Sequence, residues 1–135
     1  MNLLTIRWLV VLLYLVVDIG YVFLSRTYYE SHVRKIQNKG YSTKAGVYVS
    51  AVLAYVFLAV GWWILVAERL NKQTTIYELL RITLPYSLVI FGVFNTTLYV
   101  MFDAWDARIA IRDTVWGISS ITLTSLLYLY LVKSL

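Results

Sequence analysis

Cysteine is absent from the 135 residues, histidine occurs once and proline once, and only 14% of the chain is charged. Without cysteine there is no disulfide framework and no thiolate zinc or iron-sulfur site. With His32 as the sole imidazole, a zinc site of the His-Glu-x-x-His kind, which needs two on one helix face, is excluded too. Gly-rich phosphate loops and Gly-x-Ser-x-Gly elbows are also missing. No metal or cofactor is therefore expected, and no catalytic residue stands out. What is abundant is apolar: 61% of residues are hydrophobic, against about 45–50% in soluble domains. The length suits a single domain, 1–135.

Four apolar runs, Leu3–Leu24, Gly46–Ala67, Leu84–Phe102 and Thr114–Val132, are each long enough to cross a hydrocarbon core about 30 Å thick. Their hydrophobicity is continuous rather than alternating, so they read as helices and not barrel strands. The first outruns a signal-peptide core and lacks a small-x-small cleavage site, so it reads as a permanent span. The expected fold is all-α: an integral membrane four-helix bundle of up-and-down topology. Its helices are expected near 3–24, 46–67, 76–102 and 113–132. Thr75 and Glu78 form a capping box that starts the third, and Pro85 bends it or parts an interfacial turn from the span.

Residues 25–45 carry Arg26, Arg34, Lys35, Lys39 and Lys44 against Glu30 alone. Tyr29, Val33 and Ile36 recur at helical spacing, with Gly40 as a stop. The segment reads as a short surface helix or a solvated loop, with Arg34, Lys35, Lys39 and Lys44 facing anionic lipid headgroups. The net charge of +5 in so apolar a chain points to lipid and not to nucleic acid. Seven Lys and Arg fall on the side of the 25–45 and 103–113 connections and five on the other, which places those connections in the cytoplasm. His32 in the basic segment reads as a solvated side chain rather than a pH sensor.

Up-and-down connectivity brings the end of the first span, the end of the third and the start of the fourth to one membrane face. Asp18, Asp103 and Asp113 then share a layer. Asp18 lies about 9 Å inside its span, where a carboxylate costs up to about 2.5–3.5 kcal/mol, so it should face the bundle. Tyr14, Asp18, Tyr21 and Ser25 form one polar stripe, Asn95, Tyr99 and Asp103 a second, and Asp113, Gly117, Ser120 and Thr124 a third. Arg26, Arg108 and Arg112 are near enough in sequence to pair with the aspartates.

Two readings follow. In one, the carboxylates bind a proton or cation, with Asn95 and Tyr99 nearby, since close carboxylates resist joint ionisation. In the other, they form an ion-pair network that sets helix register, and Asn95 is an interhelical hydrogen-bonder. Trp8, Trp62, Trp63, Trp105 and Trp116 read as an interfacial belt, though Trp105 and Trp116 flank the layer and suit an aromatic wall.

Asp18, Tyr28-Tyr29, the stretch Tyr-Val-Met-Phe-Asp at 99–103 and Asp113-Thr-Val-Trp116-Gly117 together resemble the small four-span membrane proteins of domain of unknown function 2177. That family has bacterial and large-DNA-virus members. The resemblance spans nearly the whole chain and implies the fold and the acidic layer, but no activity. Ala104-Trp105-Asp106 stands where the family usually has Leu-Thr-Asn. Three functions are then expected in order. The first is a non-catalytic accessory membrane component, in a viral or multi-subunit assembly with other membrane or capsid-like subunits as partners. The second is a proton-coupled carrier of a small cation using Asp18, and the last is a lipid-modifying enzyme.

Overall fold

Asn2 caps the first helix, its side-chain oxygen accepting from the Thr5 amide at 2.8 Å, and helix α1 then runs Leu3–Leu24. In this computed structural model, which describes residues 2–135, the chain turns at Ser25 directly into α2, Arg26–Gln37. Asn38 ends α2 in the left-handed conformation, φ 57°. The stop is thus Asn38 and not Gly40, because asparagine tolerates this backbone region and sits where the helix needs its left-handed residue.

Helix α3, Val47–Leu65, continues into a 3-10 turn at Ala67–Arg69. Helix α4, Ile76–Ser87, begins at the capping box: Thr75 Oγ1 accepts from the Glu78 amide at 3.2 Å, and Glu78 Oε2 accepts from the Thr75 amide at 2.7 Å. Pro85 does not break the helix. The irregularity appears three residues later as a π turn, Leu88–Gly92, after which α5 runs Val93–Met101. Ser87 Oγ donates to the carbonyls of Thr83 and Leu84, binding polar backbone beside the proline.

Helix α6, Ala107–Lys133, starts six residues before the expected 113. Asp106 is its cap, with Oδ1 accepting from the amides of Arg108 and Ile109 at 2.9 and 3.1 Å. Arg108, Arg112 and Asp113 are charges of a loop by composition, yet they occupy the first two turns of this helix.

Among the described residues every regular element is helical, and four stretches are long and apolar enough to cross a membrane: Leu3–Leu24, Val47–Arg69, Ile76–Met101 and Ala107–Lys133. The protein is an integral, multi-pass membrane protein. Helix α6 is the hub, packing against α1, α4, the π turn and α5. Its partners meet in a core of Ile6, Val10, Tyr14, Leu79, Ile121 and Tyr128. Helix α3 joins chiefly through its C-terminal half, where Trp62 Nε1 donates to Ser125 Oγ at 2.9 Å. The outward faces carry Val16, Phe23, Phe57, Val89 and Leu123, as lipid contact requires. Trp62→Phe should lower unfolding stability in detergent by about 1 kcal/mol, the net worth of one buried hydrogen bond, with no change in helix content by circular dichroism.

Candidate functional site

Three of the four residues in the α1 stripe, Tyr14, Asp18 and Ser25, are buried, and Tyr21 is half-buried. The stripe lies on the face of α1 that packs against α6, where Asp18 and Ser25 find polar partners in Trp116 and Arg112. Asp18 is 7% exposed. Its Oδ1 accepts a hydrogen bond of 2.8 Å from Trp116 Nε1 on α6, and the Trp116 ring stacks on Tyr21 with centroids 4.0 Å apart. Tyr55 of α3 also borders Asp18, a neighbour that nothing in the local sequence pattern singled out.

Asp113 sits on the second turn of α6 and is gripped from two sides. Tyr29 of α2 donates its hydroxyl to Oδ1 at 3.0 Å, and Asn95 Nδ2 of α5 donates to Oδ2 at 2.6 Å. Asn95, almost wholly buried, uses its second amide hydrogen on the Phe91 carbonyl at 2.9 Å and accepts from Trp105 Nε1 at 3.3 Å. Tyr21 and Tyr29 hydroxyls lie 3.1 Å apart, which links the Asp18 and Asp113 halves. Asp18, Asp113, Trp105 and Trp116 all border one cavity of about 420 Å³, whose other walls include Phe91, Phe94 and, from α2, Val33. Both tryptophans therefore stand as an aromatic wall beside the carboxylates.

Several expected members lie elsewhere. Tyr99 is 55% exposed and Asp103 is exposed, so neither joins the layer. Positions four apart drift around a helix, and α5 ends at Met101 with Phe102 in extended backbone, so the second stripe is cut before Asp103. The arginines do not pair with the aspartates. Arg26 approaches Glu30 at 4.0 Å. Arg112 donates to Ser25 Oγ at 3.2 Å and lies over the Tyr28 ring at 4.5 Å. Arg108 is exposed on the first turn of α6. Among the described residues, no lysine or arginine forms a salt bridge with Asp18 or Asp113.

Helix α2 is amphipathic as its spacing predicts: Tyr29, Val33 and Ile36 are half-buried, while Lys35 is exposed and Arg34 is held by Glu30 at 2.8 Å. Lys39 and Lys44 project from the connection that follows. His32 is buried, not solvated, since its face of α2 rests against the start of α6. Its Nδ1 donates to the Tyr28 carbonyl at 3.0 Å, and Nε2 lies 3.7 Å from Asp106 Oδ2.

The amides of Ile109 and Arg108, with His32 close by, hold the Asp106 carboxyl below its usual range. A carboxylate depressed in this way stabilises the fold above its unfolded-state pKa of about 3.9 and loses that contribution as pH falls through the lower folded value. Below about pH 4 the unfolding midpoint of the wild type should therefore fall more steeply with acidification than that of Asp106→Asn. Unfolding curves of the two proteins across that range check it.

No curated protein and no solved structure matches the chain. The family described as Predicted membrane protein (DUF2177) matches residues 3–130, which include every residue of the cavity and all but the last turn of α6. The chain belongs to this family of predicted membrane proteins, domain of unknown function 2177.

Proposed function

We propose that the protein is a non-enzymatic membrane carrier that binds a small organic cation in the cavity bordered by α1, α2, α5 and α6, exchanging it for a proton at Asp18. One observation carries this reading: two carboxylates border one aromatic-walled cavity, and neither has a basic partner among the described residues. An intramembrane carboxylate is costly, and its usual structural compensation is a paired arginine or lysine. Here the partners are neutral donors, Trp116, Tyr29 and Asn95, which fix the carboxylate oxygens while leaving their charge uncompensated. A cation answers that charge, and the faces of Tyr21, Trp105 and Trp116 supply cation–π contact. The volume of about 420 Å³ falls within the usual range of small-molecule pockets. When the cation leaves, a proton takes its place, so the cavity is not left with an unanswered charge. An excess of lysine and arginine beside the 25–45 and 103–113 connections supports a cytoplasmic side for them and for the cavity.

A second reading, an accessory membrane component whose polar layer holds helices in register, is favoured by the interhelical bonds of Trp116 to Asp18 and Asn95 to Asp113. Vesicles decide between them. Reconstituted protein should drive uptake of tetraethylammonium into vesicles that are acidic inside, each cation entering as a proton leaves, and Asp18→Asn should abolish that uptake. Absence of flux under gradients of either sign would leave the accessory role and end the carrier reading.

A further inference from the structure

The membrane face away from the acidic cavity is formed by the start of α1, the ends of α3 and α6 and the start of α4, tied together by Arg7. Its Nε donates to the Tyr128 hydroxyl at 3.1 Å, and its guanidinium lies 3.9 Å from Glu68 and 5.4 Å from the Trp63 ring centroid. On this face a cavity of about 430 Å³ is bordered by Arg69, Asn71, Thr74 and Arg81. Neither Arg69 nor Arg81 forms an ion pair among the described residues. Glu78, the carboxylate on the same wall, is turned back onto its own helix start, where it accepts from the Thr75 amide and hydroxyl at 2.7 and 2.9 Å.

From these two arginines a groove of about 420 Å³ continues along α3 and α4, over Leu65, Pro85, Tyr86 and Val89. Its floor is fixed. The Tyr86 hydroxyl donates to the Leu58 carbonyl at 3.0 Å, and Gly61 makes room for it, since a Cβ there would come within 2.7 Å of that oxygen.

Depth matches a lipid. The helical stretch Ile76–Met101 has 26 residues and spans about 39 Å, longer than a hydrocarbon core of about 30 Å, so its first turns reach the headgroup region. Arg81 lies about 8 Å along it, at the boundary between headgroups and chains. Charge at that boundary and an apolar channel below it are complementary to one molecule with an anionic head and a hydrocarbon tail. We infer that this face binds an anionic phospholipid of the bilayer, its phosphate held between Arg69 and Arg81 and one acyl chain lying in the groove between α3 and α4. Two planar guanidinium forks suit phosphate oxygens. The site is separate from the basic 25–45 connection, which lies at the other face, and it stands whether or not the acidic cavity carries a cation.

Native mass spectrometry in an uncharged detergent tests it, with phosphatidylglycerol, phosphatidylcholine of the same chains and glycerol 3-phosphate as probes. The first phosphatidylglycerol should bind about tenfold more tightly than phosphatidylcholine, the scale of one charge-assisted contact. Glycerol 3-phosphate should not compete. Arg69→Gln and Arg81→Gln should each weaken the preference and the double variant remove it, with an unchanged thermal midpoint in phosphatidylcholine. Replacing Lys35, Lys39 and Lys44 by glutamine should leave the preference intact. Equal binding of the two lipids, a preference that survives in the double variant or vanishes in the lysine variant, or full competition by glycerol 3-phosphate would each overturn the assignment.

Discussion

Asp18→Asn should weaken binding of a small organic cation about thirtyfold or more while leaving unfolding in detergent unchanged or slightly improved. The two halves of that expectation come from different physics. Removing a desolvated charge that answers a cation costs about 2–5 kcal/mol of binding, and every 1.4 kcal/mol is a factor of ten. The fold keeps its contact, because the carbonyl oxygen of asparagine accepts from Trp116 Nε1 in place of Oδ1, now bonded at 2.8 Å. It also sheds a nearly buried charge that has no basic partner among the described residues, an arrangement costly to the fold. Equilibrium binding of tetraethylammonium and chemical unfolding of both proteins in the same detergent give the comparison. A destabilisation of about 3–5 kcal/mol, the mark of a broken buried pair, would instead make Asp18 a structural residue.

Gly117→Ala should destabilise the protein by about 1–3 kcal/mol, although alanine is the better helix former by about 1 kcal/mol. A Cβ at Gly117 would overlap the Phe91 ring. Phe91 cannot retreat by shifting its backbone, because its carbonyl receives Asn95 Nδ2 at 2.9 Å and Thr114 Oγ1 at 3.4 Å. The ring must swing toward the cavity it borders, or α6 must separate from the π turn. The first outcome narrows the cavity, so cation affinity falls with stability. Unfolding of Gly117→Ala, Phe91→Leu and the double variant checks the mechanism: the double should cost less than the sum of the singles, since the smaller side chain relieves the overlap. Additive losses would mean that the two positions do not meet.

Much of this arrangement is legible in the amino-acid sequence itself. The bounds of Leu3–Leu24 follow from apolar length, the start of α4 from Thr75 and Glu78, and the inward turn of Asp18 from the cost of a carboxylate in hydrocarbon. Membrane spans announce themselves in composition because the bilayer tolerates little else. Side-chain partners are less visible. Asp106 is one charge among several between Asp103 and Asp113, and only its bonds to the Arg108 and Ile109 amides distinguish a helix cap from a loop residue. The same tripeptide, Ala104-Trp105-Asp106, places an indole on Asn95 and a cap on α6, so the departure from Leu-Thr-Asn brings its own polar contacts.

Asp103 and the arginines show a further limit. Regular spacing carries a stripe only as far as its helix, and α5 stops at Met101. Arg112 prefers the Tyr28 face and Ser25 because α2 folds back beside α6, a tertiary choice that loop length alone does not reveal. His32 is buried by that same fold, which no pattern within residues 25–45 records.

The claim that cation and proton compete for Asp18 is tested most directly by counting protons. Protein in weakly buffered detergent at mildly acidic pH is mixed with tetraethylammonium, and the pH change is followed alongside binding. About one proton should be released for each cation bound, as replacement of one charge by another at a single carboxylate requires. Asp18→Asn should release none. Cation bound without proton release, or release that persists in Asp18→Asn, would contradict the account.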